Sequence, residues 1–295
     1  MRQLDYITPT RLSLYRKDKH LFYKRYQADH KWGQDPSTPA MMVGTAFDYY
    51  IKRWLCEQLG VVSGETSLPD DDWACGQGMR ICEQYLARGG GGPLLEMGGW
   101  GSSVEMEFGV SKLVCGTAGA GVPLYGKPDL KITGRLADGT MAHCILDWKV
   151  NGGASAKRPS PVAGYSWRSK DGSCHKLFSG VSCAIPGIPV CSTTAWGGDW
   201  IEQICIYGWL SGVAVGETFV GAVDQLCCSK EQGLEELVRH RGYVSTELQV
   251  SLFSEIMDMW SLCQTGEYLP QNVRDLLDEG DPSGDSEDFR TFLMS

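Results

Sequence analysis

The chain has no apolar run approaching the roughly 18 residues that a membrane span needs. Its opening residues, MRQLDYITPT, lack the basic segment and apolar stretch of a secretory signal. The sequence also has no CxxC pair and no internal repeat. We therefore expect no membrane association and a cytoplasmic location, with the twelve cysteines present as reduced thiols.

Zinc is not expected from the densest group of potential ligands. That group is Cys174, His175, Cys183 and Cys191. Its members are too widely spaced for the close pairs that structural zinc sites use. Scattered buried thiols account for the remaining cysteines.

The composition is that of a globular protein, and its charge is unevenly distributed. The chain has 295 residues, of which 42% are hydrophobic and 21% are charged, and its net charge is −9. Residues 1–33 nevertheless hold eight Lys and Arg against three Asp, whereas residues 266–295 hold eight acids against two Arg. A basic beginning fits a polyanion-binding face, although two solvated chain ends would look the same.

The hydrophobic periodicity predicts an α/β fold in which helices flank a mixed central sheet of about five strands. Helices are predicted at 8–26, 41–59, 72–87, 199–213 and 255–264, the last capped by Ser254. Strands are predicted at 104–108, 124–132, 143–150, 219–228 and 243–252. Asp138-Gly139 predicts a hairpin turn that makes the first three strands a meander.

These elements divide the chain into three parts. Residues 1–40 form a basic helical segment, 41–265 a core, and 266–295 an acidic tail that we expect to be disordered from about residue 271. The core contains a long insertion at 151–199, rich in Gly, Ser and Pro. Cations and aromatic residues mix within the insertion at 157–170, which suits either a flap over nucleic acid or an ordinary surface loop.

Two acids and a lysine form the most informative pattern. Asp129 and Asp147 are predicted on neighbouring strands, and Lys149 shares a strand face with Asp147 while Trp148 faces the other way. Burying such charges is costly unless they are paired or bind a cation. Two carboxylates with the main-chain carbonyl of Trp148 suit Mg²⁺ or Mn²⁺. Such an ion would activate water and polarise a phosphate, and Lys149 would orient the water, which is phosphodiester hydrolysis. A solvated salt bridge is the alternative.

Three further segments stand in an informative order. GTAFD at 44–48 precedes the strands, YGKPD at 125–129 lies in the middle strand, and QICIY at 203–207 follows on a helix. Gln203 and Tyr207 share one face of that helix. The arrangement resembles the PD-(D/E)XK nuclease superfamily, and within it the RecB-like branch that includes many phage exonucleases, over roughly residues 6–265.

The resemblance implies a restriction-endonuclease-like core and a set of site residues. These are Asp129 and Asp147 as metal-binding acids, Lys149 as the catalytic lysine, and Gln203 with Tyr207 as supports of the site that touch the DNA strand. The helix at 8–26 is similar to the N-terminal helix of the family. Arg11, Lys24 and Arg25 of this helix are candidates for phosphate contacts, although a solvated amphipathic helix is the alternative. Glu105 or Glu107 would lie in the first strand.

The chain departs from the family pattern at two points. The helical position usually filled by His is Asp48, which could still give the metal an oxygen ligand. Some relatives hold an iron–sulfur cluster on one early and three late cysteines. Here the early region reads RKDK at 16–19, and only Cys263 lies late, so no cluster is expected.

The resulting expectation is a Mg²⁺- or Mn²⁺-dependent deoxyribonuclease. By resemblance it would be an exonuclease in phage recombination, repair or end processing, with DNA as its substrate and a recombination or single-strand-binding protein as a further partner. A structure-specific endonuclease would use the same site. A non-catalytic DNA-binding or assembly protein is the other alternative, which the intact acids and lysine argue against.

Overall fold

A computed structural model describes most of the chain. The described residues are 1–29, 36–60, 67–92, 94–95, 103–106, 109–116, 119–135, 141–157, 178–179 and 198–279. The Asp138-Gly139 turn, the group from Cys174 to Cys191, Glu107 and most of the predicted insertion lie outside these residues. No helix in the described ranges combines the length and apolar character needed to cross a membrane.

The described residues form seven helices and eight strands. The helices are α1 (Pro9–Lys17), α2 (Lys19–Tyr26), α3 (Pro39–Leu59), α4 (Asp72–Ala87), α5 (Gly198–Leu210), α6 (Thr246–Thr265) and α7 (Gln271–Glu279). The strands are β1 (Ser103–Met106), β2 (Val110–Cys115), β3 (Gly121–Gly126), β4 (Leu130–Arg135), β5 (Met141–Gly152), β6 (Phe178–Ser179), β7 (Phe219–Ser229) and β8 (Gly233–Val244).

A mixed six-stranded sheet lies between two layers of helices, as the periodicity predicts. Its order is β1-β4-β5-β7-β8-β6, in which β5 and β7 run parallel and the other neighbours run antiparallel. One hydrophobic core joins one face of the sheet to α1, α2, α5 and α6, and a second joins the other face to α3 and α4. Strand β7 is buried along its whole length because both faces are covered.

The predicted helix at 8–26 is two helices, because Asp18 interrupts it. Thr8 caps α1 as expected, accepting the N–H of Arg11 at 3.0 Å. Asp18 then adopts an extended backbone, and its carboxylate accepts the N–H of Leu21 at 2.8 Å. An aspartate that caps a new helix in this way satisfies amide groups that the first turn leaves without partners.

The predicted strand at 124–132 is also wrong as a single element. It is divided into β3 and β4 by Lys127-Pro128-Asp129, and the two strands belong to different sheets. Strand β3 pairs with β2 in a separate two-stranded hairpin and forms an isolated parallel bridge to Ile7. Proline cannot donate to a ladder, which is why the chain leaves one sheet and enters the other at this point. Asp129 therefore immediately precedes β4 instead of lying within a strand.

The strand predicted at 243–252 is wrong, because Val244 ends β8 and helix α6 begins at Thr246. Ser245 caps α6, accepting the N–H of Leu248 at 3.2 Å, so Ser254 lies within a helix and caps nothing. Strand β8 was missed because its charged residues obscure the period-two pattern; Glu235, Glu236 and Arg239 are only partly buried. The acidic tail also begins with structure, since α7 occupies part of the region predicted to be disordered.

Close packing of α3 on α4 holds the helix that carries Asp48. A Cβ atom on Gly78 would lie 2.5 Å from the Cβ of Ala46 and 2.6 Å from the backbone nitrogen of Phe47. Two helices can approach this closely only where one contributes a glycine. Thr38, Pro39 and the left-handed Gly60 define the two ends of α3.

We expect Gly78→Ala to lower the free energy of unfolding by about 1–3 kcal/mol, since the added methyl group meets backbone atoms that cannot move independently. Gly76→Ala is the matched control on the same helix. A Cβ at Gly76 meets nothing within 4 Å, so this variant should gain up to about 1 kcal/mol from helix propensity. Chemical denaturation of both variants measures the difference, and equal effects would contradict the packing argument.

Candidate functional site

Asp129 and Asp147 meet because of the register between β4 and β5. That register pairs Leu130 with Leu146, so one further step brings Asp129 beside Asp147. The two carboxyl groups lie close enough for each to shift the pKa of the other. The N–H of Trp148 also donates to Asp129 Oδ2 at 3.0 Å, which fixes the Asp129 side chain against β5.

Lys149 extends this pair toward helix α5. Its ammonium forms an ion pair with Asp147 Oδ2 and donates to Gln203 Oε1 at 2.9 Å. Gln203 Nε2 in turn donates to the hydroxyl of Tyr207 at 2.7 Å. The face shared by Asp147 and Lys149, and the helical pair Gln203 and Tyr207, are thus joined in one chain of polar contacts.

A second lysine reaches the cluster from the other layer of helices. Lys52 on α3 has no solvent-exposed side-chain surface. Its Nζ donates to Asp48 Oδ2 at 2.5 Å and lies 3.4 Å from Asp129 Oδ1. Asp129 sits where β4 begins, so it accepts contacts from groups on both faces of the sheet.

The electrostatics of the two acids differ. Burial alone would raise the pKa of Asp129, but Lys52, Lys149 and the Trp148 N–H outweigh it and hold that pKa below the usual value. Burial raises the pKa of Asp147 to about 7, opposed by Lys149 and reinforced by Asp129. Burial and the nearby acids also raise the pKa of Tyr207, which keeps its hydroxyl protonated.

The cluster carries an excess of negative charge that suits a divalent cation. It contains the carboxylates of Asp48, Asp129 and Asp147 and the ammonium groups of Lys52 and Lys149. With every group ionised, the three acids exceed the two ammonium groups by one negative charge. Oxygen ligands of this kind suit Mg²⁺ or Mn²⁺. Within the described ranges, no three His, Cys, Asp or Glu side chains converge as a complete metal-ligand set.

The reverse side of β5 is fixed by a buried polar network. Trp148 Nε1 lies 3.3 Å from the hydroxyl of Tyr85, and that hydroxyl lies 2.5 Å from Asp224 Oδ2. Phe47 packs edge-on against both Tyr85 and Trp148. The main chain at Trp148, whose N–H holds Asp129, is therefore anchored from the face opposite the carboxylates.

A groove of about 560 Å³ opens beside the cluster and shares Gln203 and Tyr207 with it. The groove is lined by three cations (Lys17, Arg25, Lys127), three hydroxyl residues (Thr8, Thr10, Ser13), and three aromatic residues (Tyr125, Trp200, Tyr207), with Pro9, Leu14, Gly126 and Gln203. No acid is among these lining residues. Cations interleaved with aromatic rings are typical of grooves that bind nucleic acid strands.

Helix α5, which carries Gln203 and Tyr207, is braced at this groove. Arg16 on α1 donates to Glu202 Oε2 at 2.5 Å and to both carboxylate oxygens of Glu255 on α6. Gly126 admits the Tyr207 ring, because a Cβ there would lie 2.7 Å from it. The YGKPD segment thus has two roles: it contains Asp129, and its glycine leaves room for the Tyr207 ring.

The structure separates the three basic candidates of the first helical segment. Arg25 lines the groove, whereas Arg11 and Lys24 do not. Arg11 packs over the rings of Tyr6 and Tyr26, at 4.3 and 4.7 Å from their centroids. Its guanidinium also donates to the carbonyl of Tyr6 at 2.6 Å, which indicates a role in holding the N-terminal segment together.

Other sequence candidates lie apart from the cluster. Glu105 is exposed on β1 and forms an ion pair with Lys131 at 3.3 Å. Cys263 is buried in the core between the sheet and α6. All nine cysteines in the described residues are free thiols.

Sequence reasoning missed Lys52, Lys17 and Lys127. The spacing of Asp48 and Lys52, four residues apart on a helix, is the signal that could have identified the first. Lys127 lies within the quoted YGKPD segment, and Lys17 lies about one helical turn after Ser13. Their proximity to the cluster depends on the tertiary fold, which spacing alone does not give.

In comparisons with known proteins, no protein-family model, no curated protein and no solved structure matches this chain. The assignment of a function therefore depends on the geometry of the site.

We expect Asp147→Asn to stabilise the metal-free protein at pH 8.5 and to do so much less at pH 5.5. The pKa of Asp147 is higher in the folded than in the unfolded chain, so its contribution to the free energy of unfolding is lost as pH rises from about 4 to about 7. The amide removes this loss. Thermal unfolding in the presence of a chelator should show a higher melting temperature for the variant at pH 8.5.

The matched control for this experiment is Asp258→Asn, at an exposed position on α6. Its melting temperature should equal that of the unsubstituted protein at both pH values. A melting temperature of Asp147→Asn that falls equally at pH 5.5 and pH 8.5 would contradict the electrostatic account.

Proposed function

We propose that this protein is a divalent-metal-dependent nuclease that hydrolyses phosphodiester bonds of DNA. The observation that carries the proposal is the strand register that places Asp129 beside Asp147, with Lys149 paired to Asp147 and a cation-lined groove adjoining. A carboxylate pair, a lysine and a phosphate-binding groove are the components that metal-assisted phosphodiester hydrolysis requires.

The proposed roles follow from position. Asp129, Asp147 and the carbonyl of Trp148 would hold Mg²⁺ or Mn²⁺, which when bound polarises a phosphate oxygen and makes water more acidic. Lys149, held between Asp147 and Gln203, orients the attacking water and stabilises negative charge that develops on the phosphate. Tyr207 accepts from Gln203 and, being protonated, donates toward the groove.

The groove brings the DNA strand to this centre. Lys17, Arg25 and Lys127 neutralise backbone phosphates, and the aromatic rings offer faces to sugars and bases. Tyr207 belongs to both groove and cluster, so a strand lying in the groove passes the carboxylates. Membership of the PD-(D/E)XK superfamily, and action as an exonuclease in DNA end processing, recombination or repair, are parts of the proposal that the sequence resemblance supports.

We expect Asp147→Ala and Lys149→Ala each to reduce the rate of Mg²⁺-dependent DNA cleavage by about 10²–10³-fold or more, because each removes a group that stabilises the transition state. Release of nucleotides from end-labelled linear DNA measures the rate. The matched control is Lys131→Ala, a lysine on neighbouring β4 that is paired with Glu105, and this variant should retain activity.

Covalently closed circular DNA distinguishes the two modes of cleavage. An exonuclease degrades the linear form alone, whereas an endonuclease acting at the same site also opens the circle. If the unsubstituted protein cleaves neither form with Mg²⁺ or Mn²⁺, or if Asp147→Ala cleaves as fast as it does, the proposed function is wrong.

We expect the pair of substitutions Lys17→Ala and Arg25→Ala to weaken DNA binding and raise KM while leaving kcat nearly unchanged. These cations contact phosphates away from the scissile bond, so their loss removes uniform binding energy. The dependence of log Kd on log salt concentration should become shallower by about one unit per lost contact. Arg53→Ala, at an exposed position on α3, is the control, and an unchanged salt dependence in the double variant would exclude the groove as the DNA path.

A further inference from the structure

Lys52 lies between the carboxylates of Asp48 and Asp129. Its side chain is completely buried, and its Nζ is in ion-pair contact with both Asp48 Oδ2 and Asp129 Oδ1. Burying an ammonium group costs several kcal/mol unless acids surround it.

The two lysines of the cluster stand in different environments. Lys149 is 22% exposed, pairs with Asp147 and faces Gln203 next to the groove. Lys52 projects from the other helical layer and contacts Oδ1 of Asp129, whereas Oδ2 of the same carboxylate is oriented toward β5 by the Trp148 N–H. Asp129 therefore has one oxygen directed at Lys52 and the other at the side of the cluster where Asp147 lies.

The charge balance favours one divalent ion. With all acids ionised and both lysines charged, the five groups carry a net charge of −1. One divalent ion brings the cluster to +1, which favours an anionic phosphate. A second would bring it to +3 with no further carboxylate in the cluster to offset it, and like charges this close repel strongly in a partly buried site.

We infer that Lys52 is a built-in cation that confines this centre to a single divalent ion, bound on the Asp129–Asp147 side, and that Asp48 is a positioning residue that holds Lys52 instead of a metal ligand. The inference rests on the proposed metal-dependent function and specifies how its site is filled. It assigns Asp48 and Lys52 to one ion pair that replaces a second metal position.

Mn²⁺ titration in the absence of DNA tests the inference without measuring catalysis. Isothermal calorimetry of the full chain should give one Mn²⁺ per protein, and electron paramagnetic resonance should show an isolated ion. Lys52→Met leaves Asp48 and Asp129 facing each other without the ammonium group. This variant should bind a second Mn²⁺ and give the spectrum of a magnetically coupled pair, while the exposed Arg53→Met on the same helix should still bind one.

The double variant Asp48→Asn with Lys52→Met keeps the net charge of the cluster and removes a buried ion pair, a change that folded proteins commonly tolerate. It should still bind one Mn²⁺, with an affinity lowered by no more than about 100-fold, the upper end of the usual cost of losing a group that orients a metal ligand. If Lys52→Met alone does not fold, this double variant decides the matter.

Three results would overturn the inference. They are two Mn²⁺ ions in the unsubstituted protein, an unchanged stoichiometry in folded Lys52→Met, or an affinity of the double variant lowered more than about 100-fold, which would make Asp48 a ligand. The absence of any Mn²⁺ binding by the unsubstituted protein would instead overturn the metal-dependent function itself, together with the inference.

Discussion

The arrangement of the candidate site depends on two acidic side chains, Asp129 and Asp147, that the sheet places next to each other. The β4–β5 register brings Asp129 beside Asp147. Two ionised carboxylates this close repel each other unless a proton or a cation lies between them, and burial and Asp129 both raise the pKa of Asp147. The surrounding groups are arranged to bring positive charge to this point.

Positively charged groups reach Asp129 from both sides of the sheet because Asp129 lies where β4 begins. A residue in the middle of a strand presents its side chain to one face, whereas a residue at the start of a strand can be reached from both. Lys52 approaches from α3, and the chain of Lys149, Gln203 and Tyr207 connects the acids to α5. Rigid elements on each side, set by the Gly78 approach and by the Arg16 brace, hold these donors in place.

The sequence predicts the local parts of the site better than their assembly. Alternation within β5 places Asp147 and Lys149 on one face, and helical spacing places Gln203 beside Tyr207; both follow from backbone geometry over a few residues. The break at Pro128 and the position of Asp129 outside a strand required knowledge of which sheet each flanking strand joins. The contact of Lys52 with Asp129 is harder still to predict, because the two residues are far apart in the sequence. The sequence did not predict β8 for a related reason: its charged side chains can stay partly exposed because β8 lies near the edge of the sheet.

The distribution of charge explains how an acidic protein could attract a polyanion. The net charge of −9 repels DNA from most of the surface, whereas the groove lining holds three cations and no acid. Opposite fields of this kind would concentrate a DNA strand in the groove. The acids that would repel the scissile phosphate are those proposed to bind the metal, so in this proposal the approach of phosphate depends on the bound cation. An empty centre would then repel the strand at the end of the groove, and a filled centre would attract it, which makes the ion a condition for productive binding as well as for chemistry.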